Sequence, residues 1–198
     1  MALVSLPSSP GPQVLDWYEI DFGGTLRGPL GGTAQRINRL GNRWGMTFRC
    51  PAMSFADARE WSAALSLGLK NGVSCRVRQP GLNTGSPGTV LVAGAGQSGF
   101  ALDVDGMNPG YPVRRGQWMS LLTGGRRYLY LSGDHVAADG SGTATLALTT
   151  ALRAEPADND PVTLGAPVIE GLLVERPGWS LDPRALAGGF TFTIEEVA

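Results

Sequence analysis

Glycine and proline interrupt this chain so often that only one stretch can hold a long helix. The sequence has 29 Gly and 14 Pro in 198 residues, with no fixed glycine period. A collagen-like assembly is therefore excluded. Net charge is only -1 and apolar runs recur throughout, with 42% hydrophobic residues, which excludes a disordered chain. Short strands joined by tight turns account for the pattern.

The helical stretch is "SFADAREWSAALSLGLK" (54–70). Ser54 is an N-cap residue with Asp57 three positions on, where an acid meets unpaired backbone N–H groups. Ala58, Trp61, Leu65 and Leu69 are predicted to form its apolar stripe. Lys70, Asn71 and Gly72 give the exit.

Elsewhere the period is two. "VLDWYEIDF" (14–22) reads as a strand. In "TAQRINRLGNRWGMTFRCP", Trp44, Met46 and Phe48 share one face, and Gly41-Asn42 predicts the turn of a hairpin over Thr33–Arg49. Strands are also predicted at 73–80, 88–93, 99–104, 117–122, 126–131 and 143–148. "TGG" (123–125) suits a hairpin turn. Near the end, Phe190, Phe192 and Ile194 alternate with Thr191, Thr193 and Glu195. The expected fold is mainly β with one α-helix, and Trp44, Trp61, Leu65, Phe190 and Phe192 are its expected core. The β-rich span 87–165 is read as a small barrel or sandwich inserted into a discontinuous β/α domain made of 1–86 and 166–198.

Charge excludes several functions. Residues 1–85 carry nine basic and five acidic side chains, residues 86–165 five and seven, and residues 166–198 two and five. With one lysine and no dense basic stripe, no nucleic-acid sequence recognition is expected. No apolar run approaches bilayer length and no secretion signal is evident, so no integral membrane contact is expected. Cys50 and Cys75 are expected as free, partly buried thiols, with one disulfide as the alternative.

No catalytic, cofactor or metal site is expected. His135 is the only histidine, with Asp134 beside it and Asp139 four positions on, too few donors for a metal. No serine sits in a GxSxG elbow, which weighs against a small hydrolase built on His135. Asp103 and Asp105 in "DVDGMN" read as residues of an Asp105-Gly106 turn rather than a Ca²⁺ loop. "GPLGG" and "VAGAGQSG" lack the Walker lysine, which excludes a phosphate loop. Trp118 and Trp179 are candidate interface groups, with the basic pairs Arg114-Arg115 and Arg126-Arg127.

Two segments carry a resemblance. "LGNRWGMTFRCPAMSFADAREWSAALSLGLKNG" and "RRGQWMSLLTGGRRYLYLSGDHVAADGSGTATLALTTALR" resemble minor tail proteins of long, non-contractile-tailed phages, distal tail proteins among them. "PVTLGAPVIEGLLV" resembles the return from the inserted module. The resemblance implies a tail-tube-like β domain that forms a homo-hexameric ring at the distal end of the virion tail, assembled in the host cytoplasm. Its implied partners are the tail tube protein on one side and a tail hub or receptor-binding protein on the other. Arg43 and Arg49 would then contact neighbouring subunits. A non-enzymatic carbohydrate- or protein-binding β module is the competing expectation, favoured if Trp118 and Trp179 line a concave surface beside arginines.

Overall fold

The computed structural model describes residues 3–28, 31–175, 177–182 and 186–197, and only the backbone at residues 179, 181, 182 and 186–189. The chain is mainly β with one helix, as the periodicity predicts. Strands β1 (Val4–Ser5), β2 (Gln13–Ile20), β3 (Gly24–Leu26), β4 (Gln35–Ile37), β5 (Arg43–Arg49) and β6 (Met53–Ser54) lead into α1 (Phe55–Asn71). After β7 (Val73–Arg76) come β8 (Gly88–Val92), β9 (Ala101–Met107), β10 (Pro112–Val113), β11 (Trp118–Thr123), β12 (Arg126–Leu131), β13 (Val136–Ala137), β14 (Ala144–Ala147) and β15 (Val162–Thr163). The chain ends with β16 (Val168–Leu173), β17 (Gly178–Asp182) and β18 (Leu186–Glu196).

One sheet runs β1-β7-β16-β18-β5-β2, with β17 and β6 also paired to β18. β5 and β18 lie side by side, with Phe48 opposite Phe192 and Met46 opposite Ile194. Their matching alternation turns both apolar sets toward α1. Trp61 fills the middle, 5.9 Å from the Phe192 ring, which stacks on Phe48 at 5.3 Å. Trp44, Trp61, Leu65, Phe190 and Phe192 are all buried in this core. Burying each such side chain contributes about 1.5–3 kcal/mol.

The helix is capped as its sequence predicts. The Ser54 hydroxyl accepts from the Asp57 N–H at 3.2 Å and donates to its carboxylate at 2.7 Å. The Gly72 N–H donates to the Gly68 carbonyl at 2.8 Å. The buried stripe is Ala58, Trp61, Leu65 and Gly68, which corrects one member, because Leu69 is exposed. At Gly68 the helix lies so close to Val73 that a Cβ would strike its Cγ1 atom.

The predicted hairpin over Thr33–Arg49 does not form. β4 pairs with β3, and β5 pairs with β2 and β18. The chain makes instead a long two-stranded arm: β2 and β3 run out, β4 and β5 return. The buried face of β5 fits between β2 and β18, so its partner lies well before Thr33 in sequence. Every described residue from Asp21 to Gly41 except Gly23 is exposed. Asn42 braces the base, accepting from the Phe22 N–H at 2.9 Å and donating to Glu19 at 2.8 Å and Asp21 at 3.0 Å. Arg36 pairs with Asp21. Tyr18 crosses Gly45 and donates to Glu195 at 2.6 Å.

The strands between 88 and 163 form two three-stranded sheets, β14-β9-β8 and β12-β11-β15, and the pair β10-β13. Single bridges, Leu91 to Pro161 and Ser132 to Leu148, join the two larger sheets at both margins. Gly124 and Gly125, both with positive φ, make the two-residue β11–β12 turn that "TGG" predicts. The predicted Asp105-Gly106 turn is a correction. Both residues lie inside β9, and Gly106 has φ 68° where the register with β8 shifts. Its missing Cβ leaves room for the Thr89 carbonyl, so the dipeptide marks a bulge.

The two buried clusters share a wall. Met119 and Leu121 of β11 face the core within 88–163, while Trp118 and, from β12, Leu129 belong to the core under the first sheet. Glu196, on the buried parity of β18, fixes the junction. It accepts from the Trp44 N–H at 2.9 Å, the Leu129 N–H at 2.7 Å and the Arg153 Nη2 atom at 2.7 Å. Both side chains are almost fully buried. Burial pushes the Glu196 carboxyl up, against the pull of Arg153 and the two N–H donors.

Candidate functional site

A cleft of about 430 Å³ opens where the first sheet meets the loop before β11. Val14 and Trp17 of β2 form one wall and residues 78–82, which leave β7, another. Arg114–Gln117, with Leu131 and His135, complete it. Trp118 is the floor, with its indole edge-on to Trp44 at 4.9 Å and to Trp17 at 6.3 Å.

Two glutamines hold the walls. Gln79 accepts from the Trp118 N–H at 2.7 Å and donates to the Trp118 and Leu164 carbonyls at 3.3 and 3.4 Å. Buried Gln117 accepts from the Arg114 N–H at 3.1 Å and donates to the Tyr111 hydroxyl at 3.3 Å. Arg115 donates from Nε to the Gly133 carbonyl at 2.8 Å, and its N–H donates to His135 Nδ1 at 3.4 Å. The loop is therefore fixed through its backbone and through the Arg115 side chain, and Arg114 lines the opening beside it.

The structure brings Arg114, Arg115, Trp118 and His135 together in this cleft. Trp118 is only 6% exposed, so the tryptophan offered to a ligand is Trp17, at 53%. The remaining candidates lie apart. Arg43 caps the Phe22 ring at the arm base, 4.9 Å from its centroid. Arg49 is exposed at the end of β5. Arg126 is exposed at the β11–β12 hairpin, and Arg127 pairs with Glu170 at 3.4 Å. Trp179 lies in β17, and its side chain is outside the described residues.

Sequence reasoning missed Trp17 and Arg78. Both had a signal, since Arg76 and Arg78 alternate with buried Cys75 and Val77, and Trp17 lies in a strand already predicted.

His135 sits at the cleft rim, and its neighbours are a backbone N–H and Asp134 rather than a catalytic pair. Asp139 closes the DGSG turn. Its carboxylate accepts from the Thr143 and Ser141 hydroxyls and N–H groups, which hold it well below the usual carboxylate range. Asp103 accepts from the Thr145 hydroxyl at 2.5 Å. Among the described residues no three His, Cys, Asp or Glu side chains converge as a metal ion would require. Cys50 and Cys75 are buried free thiols.

No protein-family model matches the chain, and no curated protein matches it.

Proposed function

We propose that this chain is a structural adaptor of a phage tail tip, in which copies assemble into a ring by seating the arm of one copy on the next. The observation that carries this is the arm itself. It displays Phe22, Leu26, Ile37 and Leu40, all exposed, with the Arg43 guanidinium stacked on the inner ring, Phe22. Large apolar side chains gathered on a projection mark a contact surface. β2 is also the last strand of its sheet, so its outer edge offers unpaired backbone groups. An arm meeting a different surface on the next copy gives a head-to-tail contact, which closes into a ring when the rotation allows. The resemblance suggests six copies, with the tail tube protein on one face and a hub or receptor-binding protein on the other.

Negative-stain electron microscopy of the purified full chain tests the reading. Closed rings with an axial opening are expected. Monomers across a wide concentration range would overturn it.

A second reading, a non-enzymatic binding module, is favoured by one observation: Trp118, Arg114 and Arg115 line a concave surface, with Trp17 exposed above them.

A further inference from the structure

We infer that the cleft beneath Trp17 docks a short acidic peptide segment that presents one large apolar side chain. The inference deepens the binding-module reading and does not depend on the ring. Its first support is charge. Three further recesses adjoin the cleft, and Arg78 is on the wall of all four. Arg76, Arg78, Arg114, Arg115, Arg127 and His135 contribute to these walls, and no Asp or Glu among the described residues does. The chain as a whole is slightly acidic, so this segregation is not a by-product of composition.

The second support is availability. Arg127 is engaged by Glu170, and Arg115 by Gly133 and, at 3.9 Å, Asp134. Arg76, Arg78 and Arg114 have no carboxylate within ion-pairing distance among the described residues. Guanidinium groups recognise carboxylates through paired, planar hydrogen bonds, which a lysine would not supply.

The third support is the lining. Val14, Trp17, Leu82, Trp118 and Leu131 make the cleft mostly apolar. Trp17 is held edge-on to Trp118, so it is a fixed platform at low entropic cost. The volume of about 430 Å³ accepts one aromatic or branched side chain with adjoining backbone.

These features favour a peptide over a sugar. A saccharide presents hydroxyl donors that need acceptors, and no carboxylate among the described residues lines this site. Both glutamine amides are already committed to protein partners. A nucleic acid would need aromatic platforms repeated along a basic track, and the described cleft has one exposed tryptophan.

The test is an array of hexapeptides with Asp and Glu flanking a central Trp, Phe or Leu, beside twins in which the acids are Asn and Gln. It is probed with the full chain at physiological salt. Acidic members should be retained about tenfold more strongly than their twins, an effect of the size expected for rim ion pairs. Arg78→Glu together with Arg114→Glu should abolish the preference, and Trp17→Ala should weaken retention of every acidic member. Arg59→Glu, an exposed helix site outside the cleft, should change nothing. A thermal melt confirms that each variant is folded. Equal retention of acidic and amide peptides would overturn the proposal. So would an equal loss with Arg59→Glu, or binding of a polygalacturonate oligosaccharide or single-stranded oligonucleotide without binding of the peptides.

Discussion

The arm and the strands between 88 and 163 are built from the same material, short strands punctuated by glycine, yet they treat apolar side chains in opposite ways. From Gly88 to Thr163 the only large apolar side chain described as exposed is Phe100. From Gln13 to Gly41, a much shorter span, Leu15, Trp17, Tyr18, Phe22, Leu26, Ile37 and Leu40 are all exposed. The two three-stranded sheets bury one core between them. A two-stranded arm has no inside, and it must find cover elsewhere. If the arm serves the assembly proposed above, stability and assembly reside in different residues, and substitutions should separate them.

The largest loss of stability is expected at the junction. Arg153→Ala leaves Glu196 buried without its cation and should cost about 3–5 kcal/mol, read by urea denaturation. A cost near zero would mean that apolar packing and the two N–H donors to Glu196 hold the junction without the ion pair. Next comes Gly106→Ala, which forces a Cβ against the Thr89 carbonyl at positive φ. The expected cost is about 1–3 kcal/mol, with loosened amide-exchange protection across β8 and β9.

A smaller effect belongs to the DGSG turn. The Asp139 carboxyl is depressed when folded, first by the Thr143 and then the Ser141 donors. Its contribution should be fully present above the unfolded pKa of about 4 and fade as pH falls through the folded value. Asp139→Ala should thus be less stable than wild type at neutral pH and converge with it in acid. Denaturation midpoints from neutral pH into acid give the answer.

The thiols should show no change at all. Burial pushes both Cys50 and Cys75 up to about 12, so they stay protonated at mildly alkaline pH, where the reactive thiolate is scarce. A disulfide-exchange reagent such as DTNB should label neither until denaturant is added. Fast labelling in buffer would mean that this core opens readily.

Much of this was legible in the sequence. Period-two alternation placed Trp44, Met46, Phe48, Phe190, Phe192 and Ile194, because both strands are buried on one face only. The cap at Ser54 and the "TGG" hairpin were legible because each depends on local chemistry. The arm was not, because β2 and β5 are joined across more than twenty residues and pairing at that range leaves no local signal. Asp105-Gly106 misled for the same reason: a positive-φ glycine serves a turn or a bulge, and only the neighbouring strand decides which. Glu196 was within reach. It shares the parity of Phe190, Phe192 and Ile194, but a buried acid needs a cation, and Arg153 lies 43 residues away. The cleft was half legible, since Arg114, Arg115 and Trp118 are close in sequence, while Trp17 and Arg78 arrive from two other segments.

In the proposed ring, the arm serves assembly and contributes little to stability. Native mass spectrometry of the full chain beside the double variant Leu26→Asp, Leu40→Asp tests it most directly. Wild type should be a discrete oligomer. The variant should be a monomer with stability within about 0.5 kcal/mol of the wild type, as for other surface substitutions. The same mass distribution for both proteins, whether monomeric or oligomeric, would contradict the account.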